Sequence, residues 1–202
     1  MTSWKNPIKK SMMFLLPSFL FGNMTVLKPS LETPLVGLRL ERIFNENSYE
    51  DSVISLILKR ENLPELMNRV NFDLFLYQGS HSAGISIHDQ LKLGIDSEER
   101  WELDNHIIAV VNALDLNKEN RLETAVKKVL KGAFNYSGQG SHPVKHVFVS
   151  SEHYEDFKAV LVKKTLELKV GNPLDEGIDL GPIYDRNEIV EGKKLVRKIS
   201  LF

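Results

Sequence analysis

The 202-residue chain contains no cysteine. That absence excludes disulfides, thiolate metal sites, iron–sulfur clusters and a cysteine nucleophile, and it leaves the redox compartment open. Glycine and proline are few, at 12 and 8 residues, which excludes a fibrous or low-complexity protein. Neither sign of charge dominates: 26 Lys and Arg face 27 Asp and Glu, for a net charge of −1. The basic footprint of a nucleic-acid-binding protein is missing. A membrane-spanning run is missing too. The apolar stretch from Met12 to Phe21 is about half of the ~20 residues a span requires, and Pro17 interrupts it. Lys5, Lys9 and Lys10 precede that stretch as in a secretion signal, but no small-x-small cleavage site follows Phe21. The expectation is a buried helix leading into a strand, in a cytoplasmic chain with no membrane or nucleic-acid partner.

What is present is an ordinary globular composition, 42% apolar and 26% charged, enough to offset chain entropy by burial. Helix and strand patterns alternate. Residues 8 to 20 read as an apolar helix kinked or stopped at Pro17, and Met24 to Leu27 as a short strand ended by Lys28-Pro29. Thr33-Pro34 opens a helix to about Glu46, cap first and proline next, with Leu35, Leu38 and Ile43 among its apolar positions. Ser52 to Leu58 reads as a central strand, Glu61 to Arg69 as a helix, Phe72 to Tyr77 as a strand and His81 to Lys92 as a helix. Strands over Arg100–Leu103 and Ile107–Val111 follow. A helix from Asn117 to Phe134 carries Leu122, Val126, Val129, Leu130 and Ala133 on one stripe. A strand over His146–Val149 and an amphipathic helix from Glu152 to Val170 complete the pattern, the helix showing Tyr154, Phe157, Leu161 and Leu168 on one face. The alternation predicts an α/β fold with a mainly parallel sheet flanked by helices. Residues 184–202 read as a charged C-terminal tail.

The general phosphate-binding loops GxGxxG and GxxxxGK[ST] do not occur, nor do HExxH and GxSxG. His142 and His146 have a spacing that suits a metal only on a helix. Pro143 opposes a helix there, so a solvated pair is the reading, and no metal site is expected. The Lys127-Lys128, Lys163-Lys164 and Lys193-Lys194 pairs read as solvated faces.

Several ordered segments resemble one family. Gly22-Asn23-Met24-Thr25-Val26-Leu27-Lys28-Pro29-Ser30-Leu31-Glu32-Thr33-Pro34 is similar to the G-N-x-x-x-x-K-P-[AS]-x-x-T-P of the aldehyde dehydrogenase superfamily. Tyr77-Gln78-Gly79-Ser80 with Gly84 is similar to its F-T-G-S-x-x-x-G. Phe134 to Ser141 looks like its F-x-x-x-G-Q-x-C, and Trp4-Lys5-Asn6-Pro7 like the start of its W-N-x-P. Trp101-Glu102-Leu103-Asp104-Asn105 looks like a worn L-E-L-G-G. Lys169 to Asp175 and Gly181-Pro182-Ile183 continue the pattern. The chain is identified by these segments as a truncated, degenerate member.

The resemblance implies a Rossmann-like cofactor part over residues 1–105 and the start of a catalytic part over 106–183. It implies NAD or NADP as cofactor and oxidation of an aldehyde to an acid. In that chemistry a thiolate attacks the carbonyl, hydride leaves to the nicotinamide, and a Glu-activated water releases the acyl group. The nucleophile position is Ser141, whose hydroxyl is far less acidic than a thiol and needs an adjacent base. Glu102 falls on the general-base position, and Asp104 and Asn105 replace the two glycines that follow it. Lys5 falls on the oxyanion-binding Asn. Lys28 matches the ribose-binding Lys, the acidic residue beside it falls on Leu31, and Ser30 sits near where a 2′-phosphate would lie. Gly79 and Ser80 match the turn opening a helix toward the pyrophosphate. The expectation is a catalytically inactive fragment or pseudoenzyme. The alternative is an NAD(P)-binding or protein-interaction module. Its partner would be a second copy or a separately encoded remainder of the enzyme.

Overall fold

The computed structural model describes residues 1–47, 52–91, 97–112 and 121–199. The chain divides into two compact units, Met1–Asp104 and Asn105–Phe202.

The first unit opens with helix α1, Pro7–Leu20. Proline suits the first helical position because its missing N–H has no intrahelical partner there. The helix covers the predicted span of residues 8 to 20, and Pro17 lies inside it without stopping it. The helix ends a turn later, where Phe21 N–H reaches the Pro17 carbonyl and Gly22 takes φ +72°, the left-handed stop that glycine adopts without a Cβ penalty. Strand β1 (Thr25–Leu27) pairs in parallel with β2 (Val53–Ser55), and helix α2 (Pro34–Glu46) joins them. Helix α2 starts where Thr33-Pro34 predicts, but the Thr33 hydroxyl makes no cap bond. It is buried without a partner. The buried stripe of α2 is Gly37, Leu40 and Phe44, while Leu35, Leu38 and Ile43 face out. Leu15, Leu27, Leu40, Phe44 and Val53 form one core cluster, with Phe19 edge-on to Phe44 at 5.2 Å.

Helix α3 (Leu63–Arg69) leads to strand β3 (Leu74–Gly79), which pairs in parallel with β4 (Glu98–Leu103). Helix α4, His81–His88, follows β3 directly. The helix ends at His88, with a turn at Asp89 and Gln90, short of the predicted end at Lys92, a residue that lies outside the described ones. Leu63, Met67, Phe75, Tyr77, Ala83 and Ile87 make the second cluster, with Trp101 tilted against Phe75 and Tyr77. Met1 and Thr2 connect the two strand pairs. The Met1 amino group donates to the Leu76 carbonyl at 2.5 Å, and Gln78 N–H donates to the Met1 carbonyl at 3.0 Å. On the other side, Thr2 N–H donates to the Lys28 carbonyl at 3.1 Å. The order across the unit is therefore β2, β1, residues 1–2, β3, β4. This makes β2 an outer strand rather than the central one its β-branched run suggests.

In the second unit, β5 (Ile107–Val111) pairs in parallel with β6 (Val144–Val149), and helix α5 (Arg121–Phe134) connects them. The predicted start of α5 at Asn117 falls outside the described residues. Helix α6 runs Tyr154–Leu166 and ends short of Val170. Val111, Val126, Val129, Leu130 and Phe157 form the core, with Val147 and Val149 beside them. Tyr154 is exposed, so the buried face of α6 is narrower than its pattern predicts. Helix α7, Arg186–Ile199, occupies most of the stretch read as a tail. Among the described residues, no helix is long and apolar enough to cross a membrane.

Candidate functional site

Every strand ladder is parallel, so the strand carboxyl ends of the first unit gather on one edge, where open α/β sheets bind ligands. Lys28 stands just past β1 and is 9% exposed. Its Nζ donates to the Pro29 carbonyl at a long 3.4 Å, so a buried ammonium with three donors has little to donate to. Burial pulls its pKa below the usual lysine value, the Glu32 charge works the other way, and Arg60 adds to the lowering. Ser30 donates its hydroxyl to the Glu32 carboxylate. The Ser55 hydroxyl, at the end of β2, is buried without a partner. A Cβ on Gly37 would meet it and Pro29 at 2.6 Å, so glycine is what lets α2 pass this close to the strand ends.

Gly79 closes β3, and Ser80 caps α4, its Oγ accepting from Ala83 N–H at 3.3 Å. The Tyr77 ring folds back over this turn and donates its hydroxyl to the Ser80 carbonyl at 3.2 Å. A Cβ on Gly79 would meet that hydroxyl at 2.5 Å. The remaining first-turn amides of α4 and the helix dipole make an anion-favouring end. Spare donors on Lys28, a buried hydroxyl at Ser55 without a partner and the α4 amides are groups that could hold the sugar and phosphates of a nucleotide.

Glu102 lies in β4 opposite Gln78. Lys10, buried on α1, donates to Glu102 Oε1 at 2.5 Å, and the Gln78 amide donates to Oε2. Gln78 Oε1 is buried with no partner. Lys5 donates to Asp104 Oδ2 at 2.8 Å, both side chains being about four-fifths buried, at 19% and 18% exposure. Two departures from the family pattern, Lys for Asn and Asp for Gly, thus answer each other. Sequence reasoning missed Lys10, Gln78 and this pairing. Lys10 carries no local signal, because its partner is 92 residues away.

In the second unit, Ser141 follows a turn in which Tyr136, Ser137 and Gly138 all have positive φ, at 52°, 57° and 76°. Left-handed backbone costs a non-glycine residue about 1–2 kcal/mol. The turn is held by the segment 181–184. Ser137 donates to the Gly181 carbonyl, Gln139 donates to the Pro182 carbonyl, and Tyr184 N–H donates to Gln139 Oε1 at 2.7 Å. Two of the resemblance segments are therefore bonded to each other. Ser141 is 6% exposed, and its carbonyl accepts from Asn105 N–H at 3.0 Å. Among the described residues its hydroxyl makes no hydrogen bond. His142 beside it is exposed, as is His146. No group of three or more His, Asp or Glu able to hold a metal occurs among the described residues.

Parallel ladders flanked by helices define an α/β, Rossmann-like protein. A model of the aldehyde dehydrogenase family matches residues 1–200, and the chain belongs to that family. Its relatives include the alpha-ketoglutaric semialdehyde dehydrogenase of Bacillus subtilis, 26% identical over 188 residues. That match covers 92% of this chain and 37% of the relative. The 3-sulfolactaldehyde dehydrogenase of Priestia megaterium is 28% identical over 184 residues, covering 90% and 37%. Betaine aldehyde dehydrogenase from Staphylococcus aureus, solved in complex with NAD+, shares the fold at a TM-score of 0.83. It is 20% identical, and the match covers 98% of this chain and 39% of that one. The chain spans about two fifths of the length of these proteins.

Proposed function

We propose that the chain is a nucleotide-binding member of the aldehyde dehydrogenase family that does not oxidise aldehydes by itself. The observation that carries this reading is Ser141. The family's chemistry turns on a thiolate, and the chain has no thiol. A hydroxyl replaces one only with a base to take its proton, and among the described residues no side chain is bonded to this hydroxyl. The general-base position supports the same reading. Taking a proton at Glu102 would break the ion pair with Lys10. At the oxyanion position, the Lys5 ammonium is directed at Asp104.

The nucleotide part of the proposal assigns residues 1–105 to NAD or NADP, with Lys28, Ser30, Gly79 and Ser80 as its contacts. Residues 106–183 would be the beginning of a catalytic part and 184–202 a charged extension of it. When bound, the dinucleotide supplies a hydride acceptor. The Lys28 ammonium would donate to sugar hydroxyls, and the α4 amides to the pyrophosphate.

Open apolar surface favours a second reading, an interaction module. Ile108, Val110 and Phe148 on the β5–β6 pair are 56%, 75% and 60% exposed. A second copy or a chain carrying the rest of the catalytic part would cover them.

The test is NAD(P)H formation with simple aldehydes. The wild-type chain should give none. Turnover that Ser141→Ala abolishes would sink the proposal. Turnover gained with Ser141→Cys would locate the defect in that one atom. A rise in the thermal midpoint with NAD+ or NADP+ checks the nucleotide part.

A further inference from the structure

Between Lys10 and Lys28 the sequence contains no charged residue, so most of helix α1 is uncharged on every side. A helix of that kind is ordinarily buried all round. Here only the inner side is covered: Leu15 packs with Leu27, Leu40 and Phe44. The outer side carries Ile8, Met13, Leu16 and Leu20, followed by Phe21 and Met24 just past the helix end. All six are between 45% and 85% exposed. The neighbouring α2 is built differently, with Arg39, Arg42 and Glu46 exposed on its outer side.

We propose that the outer face of α1 is a homodimer interface, packed on the same face of a second copy about a two-fold axis. Area, shape and charge all select a second copy. Six side chains of this size and exposure offer roughly 750 Å², close to the ~800 Å² that each partner contributes to a standard interface. Ile8, Met12, Leu16 and Leu20 form one ridge of residues four apart, and Met13, Pro17 and Phe21 form the next. Ridges of this type on two copies interdigitate at about −50°, the commonest helix crossing. The face is neutral, so it gives a charged partner nothing to pair with. A lipid surface would favour basic flanks. Two of the three lysines that precede this face are committed to carboxylates, Lys5 to Asp104 and Lys10 to Glu102. Leu16 sits in the middle of the face, next to the axis, where a residue meets its own copy. Phe21, at 85% exposure, is the large aromatic anchor. The proposal does not depend on the nucleotide reading, and it uses a different face from β5–β6.

The experiment is sedimentation velocity on the full chain at micromolar concentration. Wild type should be a dimer. Phe21→Ser should weaken association about thirtyfold or more, in a chain that still unfolds cooperatively. Leu16→Glu and Leu16→Lys should each be monomeric, because like charges then meet across the axis. An equimolar mixture of the two should be dimeric again, which only a face that meets itself can produce. Phe148→Ser should leave the dimer intact. A monomeric wild type would overturn the proposal, as would a dimer that survives Phe21→Ser and both Leu16 variants. A mixture of the Leu16 variants that stays monomeric would overturn the two-fold arrangement. Loss of the dimer in Phe148→Ser would move the interface to the β5–β6 face. A monomer that floats with phosphatidylcholine vesicles, and ceases to in Phe21→Ser, would give the α1 face to lipid instead.

Discussion

The two units treat their polar residues in opposite ways. In residues 1–104, the polar groups at positions of interest are tied into the fold: Lys10 and Gln78 to Glu102, Lys5 to Asp104, and Met1 with Thr2 between two strands. In residues 105–202, the Ser141 side chain stands without a hydrogen bond among the described residues, behind a left-handed turn. The apolar faces differ as well. Strand β3 is buried along most of its length, whereas β5 and β6 bury one face against α5 and α6 and expose the other. Yet β5 reads Ile-Ile-Ala-Val-Val, the continuous apolar run of a parallel strand covered on both sides. The lesson is that the first unit ties the polar side chains at its motif positions into hydrogen bonds and ion pairs of the fold. The second leaves an apolar strand face open.

The comparison can be broken in several places. The largest effect belongs to the core of the second unit. Phe157→Ala should cost about 3–5 kcal/mol in urea unfolding, since that ring is 2% exposed among Val126, Val129 and Leu130. Next comes the buried amino group of Met1 in a chain that carries it free. Burial, with Lys28 adding to it, lowers its pKa from 8.0 to about 5. Between those values the unfolded chain binds the proton and the folded chain does not, so stability rises with pH across the window and is lost as pH falls toward 5. The full span corresponds to about 4 kcal/mol. Urea midpoints taken from pH 5 to 8 should show the slope, and acetylating Met1 should flatten it.

A smaller loss should follow Lys10→Ala, about 1–3 kcal/mol. It strands a carboxylate that is one-third exposed and therefore partly screened. A double-mutant cycle with Glu102→Gln measures the coupling, and additivity would mean the pair is not structural. The smallest effect should be at the open sheet face. Phe148→Ser should change stability by about 0.5 kcal/mol or less, which calorimetry on the isolated chain can check. A loss as large as that of Phe157→Ala would show the face to be covered already.

Much of the fold was legible. The apolar periodicities, Thr33-Pro34 and Gly22-Asn23 placed most described elements within a few residues, because each signal is local to its own element. Helix α7 escaped because Gly192 and its run of charges conceal the spacing of Ile189, Val196 and Ile199. Of the two roles Pro17 suggested, the stop is not realised, because the helix end is decided by Gly22 and the bonds around it. Of the site, motif order marked Lys28, Gly79, Ser80, Glu102 and Ser141 as positions of interest. It could not say what each one touches.

The sequence alone determined that the chain has no thiol, that helices and strands alternate, and which family its segments resemble. These follow from composition and from patterns a few residues long. Only the tertiary structure decided that Lys10 occupies Glu102, that Lys5 answers Asp104, that Met1 and Thr2 join two strand pairs, and that one face of β5–β6 is open. Each of those is a contact between residues about 25 to 100 positions apart, or the lack of a covering layer. Charges find partners by distance in space, and no periodicity along the chain encodes that distance.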